Sequence, residues 1–279
     1  MQHETQAAQS PLITDRTDWL KTFAIIFVSI DHFGYFFIDY ADWWNTYGRM
    51  AAPPFFFLLG YAQTRFVPPY WIGIGVLLTL LDSWNNDWTW VSPNILLSFV
   101  LIRLARPYVQ LLLQRHGWVA FAFIVAALVA ALPVAANIAD YGTEGWLWAL
   151  FGLCQRWYVD DKSATVKNGL VQDPVNSRFA MTENLGLLRL LACIAAATVY
   201  VWQEQIEFTF SQLQLLTIVL GISAMAIYLI LFRRGASRIQ PPRAISGLLR
   251  FIGRHTLEIY AVQLAAFEII ILSFPDLGA

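Results

Sequence analysis

Long apolar runs separated by short polar, charged or proline-containing breaks form most of this chain. About 20 apolar residues are what an α-helix needs to cross the hydrocarbon core of a bilayer. We therefore predict an all-α, polytopic membrane bundle of about nine (8–10) transmembrane helices. The third and sixth runs are short for a crossing. The candidate spans are residues 19–38, 50–66, 70–83, 93–112, 118–137, 144–158, 185–202, 211–232 and 255–274.

Composition supports a membrane protein. The chain is 58% hydrophobic and 13% charged, whereas soluble domains carry about 25% charged residues. We interpret residues 19–274 as one transmembrane domain flanked by polar tails at 1–18 and 275–279, and predict a cytoplasmic loop at 159–184. A net charge of −1 gives no sign of a nucleic-acid partner. The two cysteines lie in apolar runs, so we expect neither a disulfide nor a metal site.

The charges predict an orientation. With nine spans and a cytoplasmic N-terminus, every lysine and arginine except Arg49 falls on the inner side, as the positive-inside rule requires. The predicted outer loops carry acidic residues instead, and tryptophans cluster at the ends of the spans. The predicted topology is N-in and C-out, with membrane lipids as partners. Residues 245–252 have the pattern of an interfacial helix that leads into the last span.

Two ionisable residues share one face of the first span. Lys21 and His32 are eleven helical steps apart, which is about three turns plus some 20° and roughly 16 Å along the axis. Ionisable groups at membrane depth cost several kcal/mol and usually face the bundle interior. In one interpretation Lys21 is an inside-positive anchor and His32 a structural histidine bonded to a neighbouring helix. In the other the two residues form a functional pair.

Arg49 opens the second apolar run and needs an anionic partner if it enters the bundle. Asp31, in the first span, is the nearest candidate in sequence. Adjacent helical residues do not face each other, so we expect Asp31 to pair with Arg49 rather than with His32. A phospholipid headgroup is the alternative partner for Arg49.

Other polar residues have structural interpretations. Glu258 and Glu268 lie ten residues apart in the last span, on nearly one face. We favour pairing with polar groups at the two membrane boundaries for both. Asn94 and Asp140 fall at predicted helix ends, where they are typical capping residues.

Several short motifs resemble known membrane proteins. The spacing Lys21-x10-His32 is similar to the [R/K]-x10-H signature of acyltransferase type 3 proteins. The resemblance to the TraX-like family, named for pilin N-acetylation and regarded as related to those enzymes, is closer and extends in order over residues 18–150. Its motifs are Asp31-His32-Phe33-Gly34, Gly48-Arg49-x-Ala51-x-Pro53-x-Phe55, Asn94-Ile95-Leu96 and Asp140-Tyr141-Gly142-x-x-Gly145.

The C-terminal part departs from the pattern. Residues 252–260 resemble the last-helix motif of both families, but Gln263 stands where a later histidine is expected. A role for a second histidine is therefore not carried over. Residues 156–240 resemble nothing that we can name.

The resemblance implies a membrane-bound acyltransferase of the bacterial inner membrane. Acetyl-CoA or another acyl-CoA would be the donor, its phosphates bound near Lys21. His32 would act as general base or acyl carrier, with Asp31 and Arg49 completing the site. The acceptor would be an exported or envelope glycan, lipid or peptide that receives the acyl group on oxygen or nitrogen.

A second hypothesis is a proton- or ion-coupled transporter. Intramembrane titratable groups are typical of such proteins, and the candidates are Asp31, His32, Glu258 and Glu268. No internal repeat and no paired broken helices support this hypothesis.

Overall fold

The structure is a computed structural model that describes residues 13–38, 42–64, 66–85, 88, 91–135, 138–167 and 184–274. These residues are all-helical apart from one isolated bridge between Asp15 and Ala236. In chain order the helices are α1 (Arg16–Phe37), α2 (Asp42–Gly48), α3 (Ala52–Tyr61), α4 (Pro69–Asn85), α5 (Ile95–Ala135), α6 (Glu144–Lys167), α7 (Leu185–Phe208), α8 (Gln212–Ile230), α9 (Arg243–Arg254) and α10 (Thr256–Ser273).

Within the described ranges, five helices are long and apolar enough to cross a membrane: α1, α5, α7, α8 and α10. The chain is therefore a membrane protein. Helix α5 is interrupted at Gly117, whose φ of 55° and ψ of −128° are not helical. Each half of α5 has about the 20 residues of a crossing, in agreement with the two spans predicted at 93–112 and 118–137.

Three predicted segments differ from simple crossings. Residues 50–66 do not form one long helix, because α3 has ten residues and is about 15 Å long, half the hydrocarbon thickness. Helix α4 has 17 residues, slightly fewer than a straight crossing needs. Helix α6 continues to Lys167, so the prediction of a loop was wrong for residues 159–167, and residues 168–183 lie outside the described residues.

Helix α3 lies inside the bundle and packs against α6. A Cβ atom on Gly60 would collide with the backbone of Ala149, and one on Gly152 with the carbonyl oxygen of Phe57. Small residues at such positions let two helix backbones touch. Phe57 is fully buried, so most of α3 is surrounded by protein rather than lipid.

Hydrogen bonds hold the first turns of α1 at two places, one at its N-terminal cap and one at α9. Asp15 and Asp18 form a reciprocal capping box at its N-terminus. Lys21 Nζ donates to the carbonyl oxygen of Gly253, 3.0 Å away, near the C-terminus of α9, where a cation also complements the helix dipole. The interfacial segment predicted at 245–252 is thus present as a separate helix, and it is packed against α1.

We predict that Gly60→Ala lowers the melting temperature in detergent sharply or prevents recovery of folded protein, because the added methyl group meets backbone that cannot move aside. Gly73→Ala in α4 is the matched control, since nothing lies within 4 Å of its Cβ position. Alanine favours a helix over glycine by about 1 kcal/mol, so this variant should melt at or above the wild-type temperature. Equal melting temperatures for the two variants would contradict the packing described for α3 and α6.

Candidate active site

A buried arginine shared by two carboxylates lies where α1, α7 and the α2–α3 turn meet. Arg49 Nη2 donates to both carboxylate oxygens of Asp31 at 2.8 Å, and Nη1 lies 3.4 Å from Oε2 of Glu204. Arg49 Nε donates to the carbonyl oxygen of Asn45 at 3.3 Å. The predicted pairing of Asp31 with Arg49 is therefore present, and the buried guanidinium is not exposed to a phospholipid headgroup.

The local backbone makes room for this cluster. A Cβ atom at Gly48 would overlap the Asp31 carboxylate, so glycine allows α1 to approach the turn. The Tyr200 hydroxyl donates to the carbonyl oxygen of Arg49 at 2.7 Å. The guanidinium carbon also lies 4.5 Å from the ring centre of Phe208, a favourable cation–π distance. Helix α7 thus holds both the backbone and the side chain of Arg49.

His32 follows Asp31 in the chain, but its ring packs against α10 and not against the Arg49 cluster. Its ring lies 5.6 Å, centre to centre, from the ring of Tyr260 on α10. Its Nδ1 atom is buried, and no described residue forms a hydrogen bond with it. An imidazole nitrogen without a protein partner can exchange a proton with a bound molecule.

A cavity of about 570 Å³ connects the two ionisable residues of α1. Lys21 and His32 both line it, as their shared helix face predicted. Near Lys21 the lining includes three further basic residues, Arg103, Arg234 and Arg254. We call this space the Lys21 cavity.

A second cavity of about 530 Å³ shares part of its lining with the first. His32 and Tyr260 line both cavities, and so do Tyr35, Asp140, Tyr141, Glu144 and Glu207. No lysine or arginine is among the described residues that line the second space. Its carboxylates, which give it the name acidic cavity, belong to Asp82, Asp140, Glu144, Glu207 and Glu268.

The N-terminal half of the chain matches a known protein family. The family model described as "TraX protein" matches residues 16–166, more than half of the chain. The chain belongs to the TraX family. The match confirms the family expected from the motifs and covers α1 to α6. No curated protein and no solved structure was found to match the chain.

Part of the site in this TraX-family chain lies beyond the matched residues. Glu204, Tyr200 and Tyr260 belong to α7 and α10, and sequence reasoning assigned none of them to the site. We had expected Glu204 in a loop after a span ending at 202, whereas α7 continues to Phe208. The i, i+4 spacing of Tyr200 and Glu204, which puts two polar side chains on one face of an apolar helix, is the signal that could have found them.

The remaining candidates are divided between the two cavities. Glu258 lines the Lys21 cavity in the first turn of α10, whereas Glu268 lines the acidic cavity. Glu268 accepts a hydrogen bond from the side-chain amide of Asn85, which agrees with its structural interpretation. Gln263, the residue at the position of the expected histidine, accepts a hydrogen bond from Ser29 Oγ at 2.8 Å and so joins α10 to α1.

Asn94 is the predicted cap of α5, and Asp140 also binds the N-terminus of that helix. Asn94 Oδ1 accepts the backbone N–H of Leu96 at 3.1 Å. The Asp140 carboxylate accepts hydrogen bonds from Ser92 Oγ at 3.1 Å and from the backbone N–H of Ile95, the first residue of α5. Burial raises the pKa of Asp140 to about 6, while the Ser92 hydrogen bond acts in the opposite direction.

The two cysteines are not part of the site. Cys154 and Cys193 are buried free thiols. Within the described residues, no group of three or more His, Cys, Asp or Glu side chains could hold a metal ion.

We predict that Arg49→Met destabilises the folded protein by about 3–5 kcal/mol, because it leaves two buried carboxylates without a counter-charge. Adding Asp31→Asn and Glu204→Gln to the same protein should restore part of that loss, since the uncompensated charges are then removed. Arg156→Met is the control: Arg156 pairs with Asp160 nearer the surface, and its loss should cost less than about 1 kcal/mol. Melting temperatures in detergent compare the four proteins. Equal losses for Arg49→Met and Arg156→Met would contradict the buried cluster.

We predict that Asp140 makes the folded protein less stable as the pH rises from about 4 to 6. Between the unfolded pKa near 3.9 and the folded pKa of about 6, the folded state keeps a proton that the unfolded state has lost. The free energy of unfolding then falls with increasing pH, by about 2–3 kcal/mol. Subtracting the melting curve of Asp140→Asn from that of the wild type isolates this contribution.

Ser92→Ala supplies the second comparison for Asp140. Without the Ser92 hydroxyl, the folded-state pKa of Asp140 should rise above 6, because a hydrogen bond that favours the charged carboxylate is lost. The decrease in stability should then continue to a higher pH. Identical pH dependence in wild type and Asp140→Asn would rule out this assignment.

Proposed function

We propose that the protein is a membrane-bound acyltransferase of the inner membrane, related to the acyltransferase type 3 enzymes, that moves an acetyl or other acyl group from coenzyme A to an acceptor. The observation that carries the proposal is the position of His32, which lines both the Lys21 cavity and the acidic cavity. A side chain there can meet a donor from one space and an acceptor from the other.

The Lys21 cavity has the charge and the length for the donor. Its basic residues, Lys21, Arg103, Arg234 and Arg254, suit the phosphates of coenzyme A, which arginine and lysine bind by charge-assisted hydrogen bonds. Lys21 lies roughly 16 Å along the helix axis from His32, a distance similar to the length of an extended pantetheine arm. The thioester would therefore reach the imidazole.

The acidic cavity suits an acceptor that is neutral or positively charged. Five carboxylates and no described basic residue line it, and like charges would repel an anionic acceptor. His32 would accept the proton of the attacking hydroxyl or amine as general base. Alternatively, His32 would carry the acyl group briefly before the acceptor takes it.

Arg49 and Asp31 are positioning residues in this scheme. All three guanidinium nitrogens already have acceptors within the protein, so Arg49 is poorly placed to donate to substrate. The ion pair instead fixes the outer part of α1, and with it the orientation of His32.

The function is tested with purified protein, acetyl-CoA labelled in the acetyl group, and ethanolamine, which offers both an amine and a hydroxyl. We expect wild type to bind acetyl-CoA in calorimetry and to release coenzyme A with transfer of label to itself or to ethanolamine. His32→Ala should bind with similar affinity and lose transfer by about 100-fold or more. Lys21→Ala should bind at least tenfold more weakly, because a phosphate partner is lost.

His116→Ala is the matched control, because His116 is exposed and lines neither cavity. It should match wild type in binding and transfer. Transfer by His32→Ala at the wild-type rate, or no acetyl-CoA binding by wild type, would overturn the proposal.

A proton-coupled transporter is the second candidate. The same position of one titratable side chain between two cavities would also suit a proton path. Asp31 is less suited to that role, because it is held by Arg49. Proton-driven flux in liposomes without acetyl-CoA binding would favour this candidate.

A further inference from the structure

Acyl transfer needs a hydrogen-bond donor as well as a base. When a nucleophile attacks a thioester, the carbonyl oxygen becomes an oxyanion, and donors fixed around that oxygen usually supply a large part of the catalysis. Arg49 is already occupied by Asp31, Glu204 and Asn45. A donor that lies close to His32 and has no such acceptor is the better candidate.

Tyr260 is the polar side chain that packs on His32. It is buried, its ring lies 5.6 Å from the imidazole centre, and it lines both cavities. It also belongs to α10, outside the segment that matches the family.

The hydrogen bonds of Asn94 fix the direction of the Tyr260 hydroxyl. Asn94 Oδ1 accepts the backbone N–H of Leu96, and a backbone N–H can only donate, so this end of the amide is oxygen. The other end, Nδ2, therefore donates to Tyr260 Oη at 3.0 Å. The backbone N–H of Asn94 donates to Thr79 Oγ1 at 2.9 Å, which fixes Asn94 further.

The phenolic hydrogen of Tyr260 is consequently not used by Asn94. Among the described residues, no acceptor takes this hydrogen. The bond from Asn94 also polarises the phenol, because a hydroxyl that accepts a hydrogen bond becomes a better donor. A strengthened donor thus stands beside His32 where the two cavities meet.

We propose that the Tyr260 hydroxyl donates the hydrogen bond that stabilises the oxyanion during acyl transfer, and that Asn94 is its positioning residue. The inference rests on the proposed function. The acceptor forms a bond to the thioester carbon, its proton passes to His32, and the carbonyl π electrons move to the oxygen held by Tyr260. Collapse of this intermediate restores the carbonyl, breaks the carbon–sulfur bond, and returns the proton from His32 to the coenzyme A thiolate. Tyr260 keeps its own proton throughout.

The experiment measures kcat, KM and acetyl-CoA affinity for purified wild type, Tyr260→Phe and Asn94→Asp, with label transfer as the readout. Tyr260→Phe should keep donor affinity within about threefold and lose about 100- to 1,000-fold in kcat, as other oxyanion donors do. Tyr108→Phe is the control, since Tyr108 is exposed on α5 and lines neither cavity. It should stay within threefold of wild type in kcat.

Asn94→Asp separates a chemical role from a structural one. The carboxylate still accepts the Leu96 N–H and so still caps α5. However, it accepts from Tyr260 instead of donating, and draws the phenolic hydrogen away from the cavity. We expect kcat to fall at least 30-fold with unchanged acetyl-CoA affinity, and the melting temperature to fall because the new carboxylate is buried without a counter-charge. This variant decides the question if Tyr260→Phe does not fold.

Suppose that wild type transfers label, but the kcat of Tyr260→Phe, or of folded Asn94→Asp, stays within threefold of wild type. This result would overturn the role of Tyr260 and leave the proposed function standing. Absence of acetyl-CoA binding and transfer in wild type would overturn the proposed function, and this inference with it.

Discussion

The site depends on keeping one guanidinium charge and two carboxylate charges buried together. Taking such groups out of water costs several kcal/mol for each ion, and only close, well-oriented contacts offset that cost. Arg49 meets this condition with 2.8 Å contacts to Asp31 and a longer contact to Glu204. Gly48 provides the space and Tyr200 holds the backbone. Because Asp31 precedes His32 on α1, the same cluster fixes the position and rotation of the helix that carries His32.

The two cavities divide the chemistry by charge. Basic side chains line the Lys21 cavity near Lys21, whereas five carboxylates line the acidic cavity. Anionic groups are therefore favoured near Lys21 and disfavoured in the acidic cavity. His32 and Tyr260 line both spaces, so a proton acceptor and a hydrogen-bond donor are available at the same junction.

Local patterns in the sequence predicted the features that depend on one helix. The register of Lys21 and His32, the separate helix near 245–252 and the cap at Asn94 follow from spacing and residue type. The Asp31–Arg49 pair was also predictable, since Arg49 is the exception to the charge segregation. The features that the sequence did not predict depend on residues that are distant along the chain. Helix α3 packs on α6 through Gly60 and Gly152, and Glu204 lies at the site because α7 extends beyond its apolar run. The contact between Asn94 and Tyr260 joins residues 166 positions apart, for which no local signal exists.

The order of the chain has a consequence for biogenesis. Synthesis proceeds from the N-terminus, so α1, with Asp31 and His32, and the turn that carries Arg49 are made first. Glu204 is made much later, and Tyr260 later still, near the end of the described chain. Before α7 and α10 are inserted, Arg49 therefore lacks Glu204 and His32 lacks Tyr260. The site is complete only when α10 has joined the bundle, so an incompletely inserted protein has no formed site.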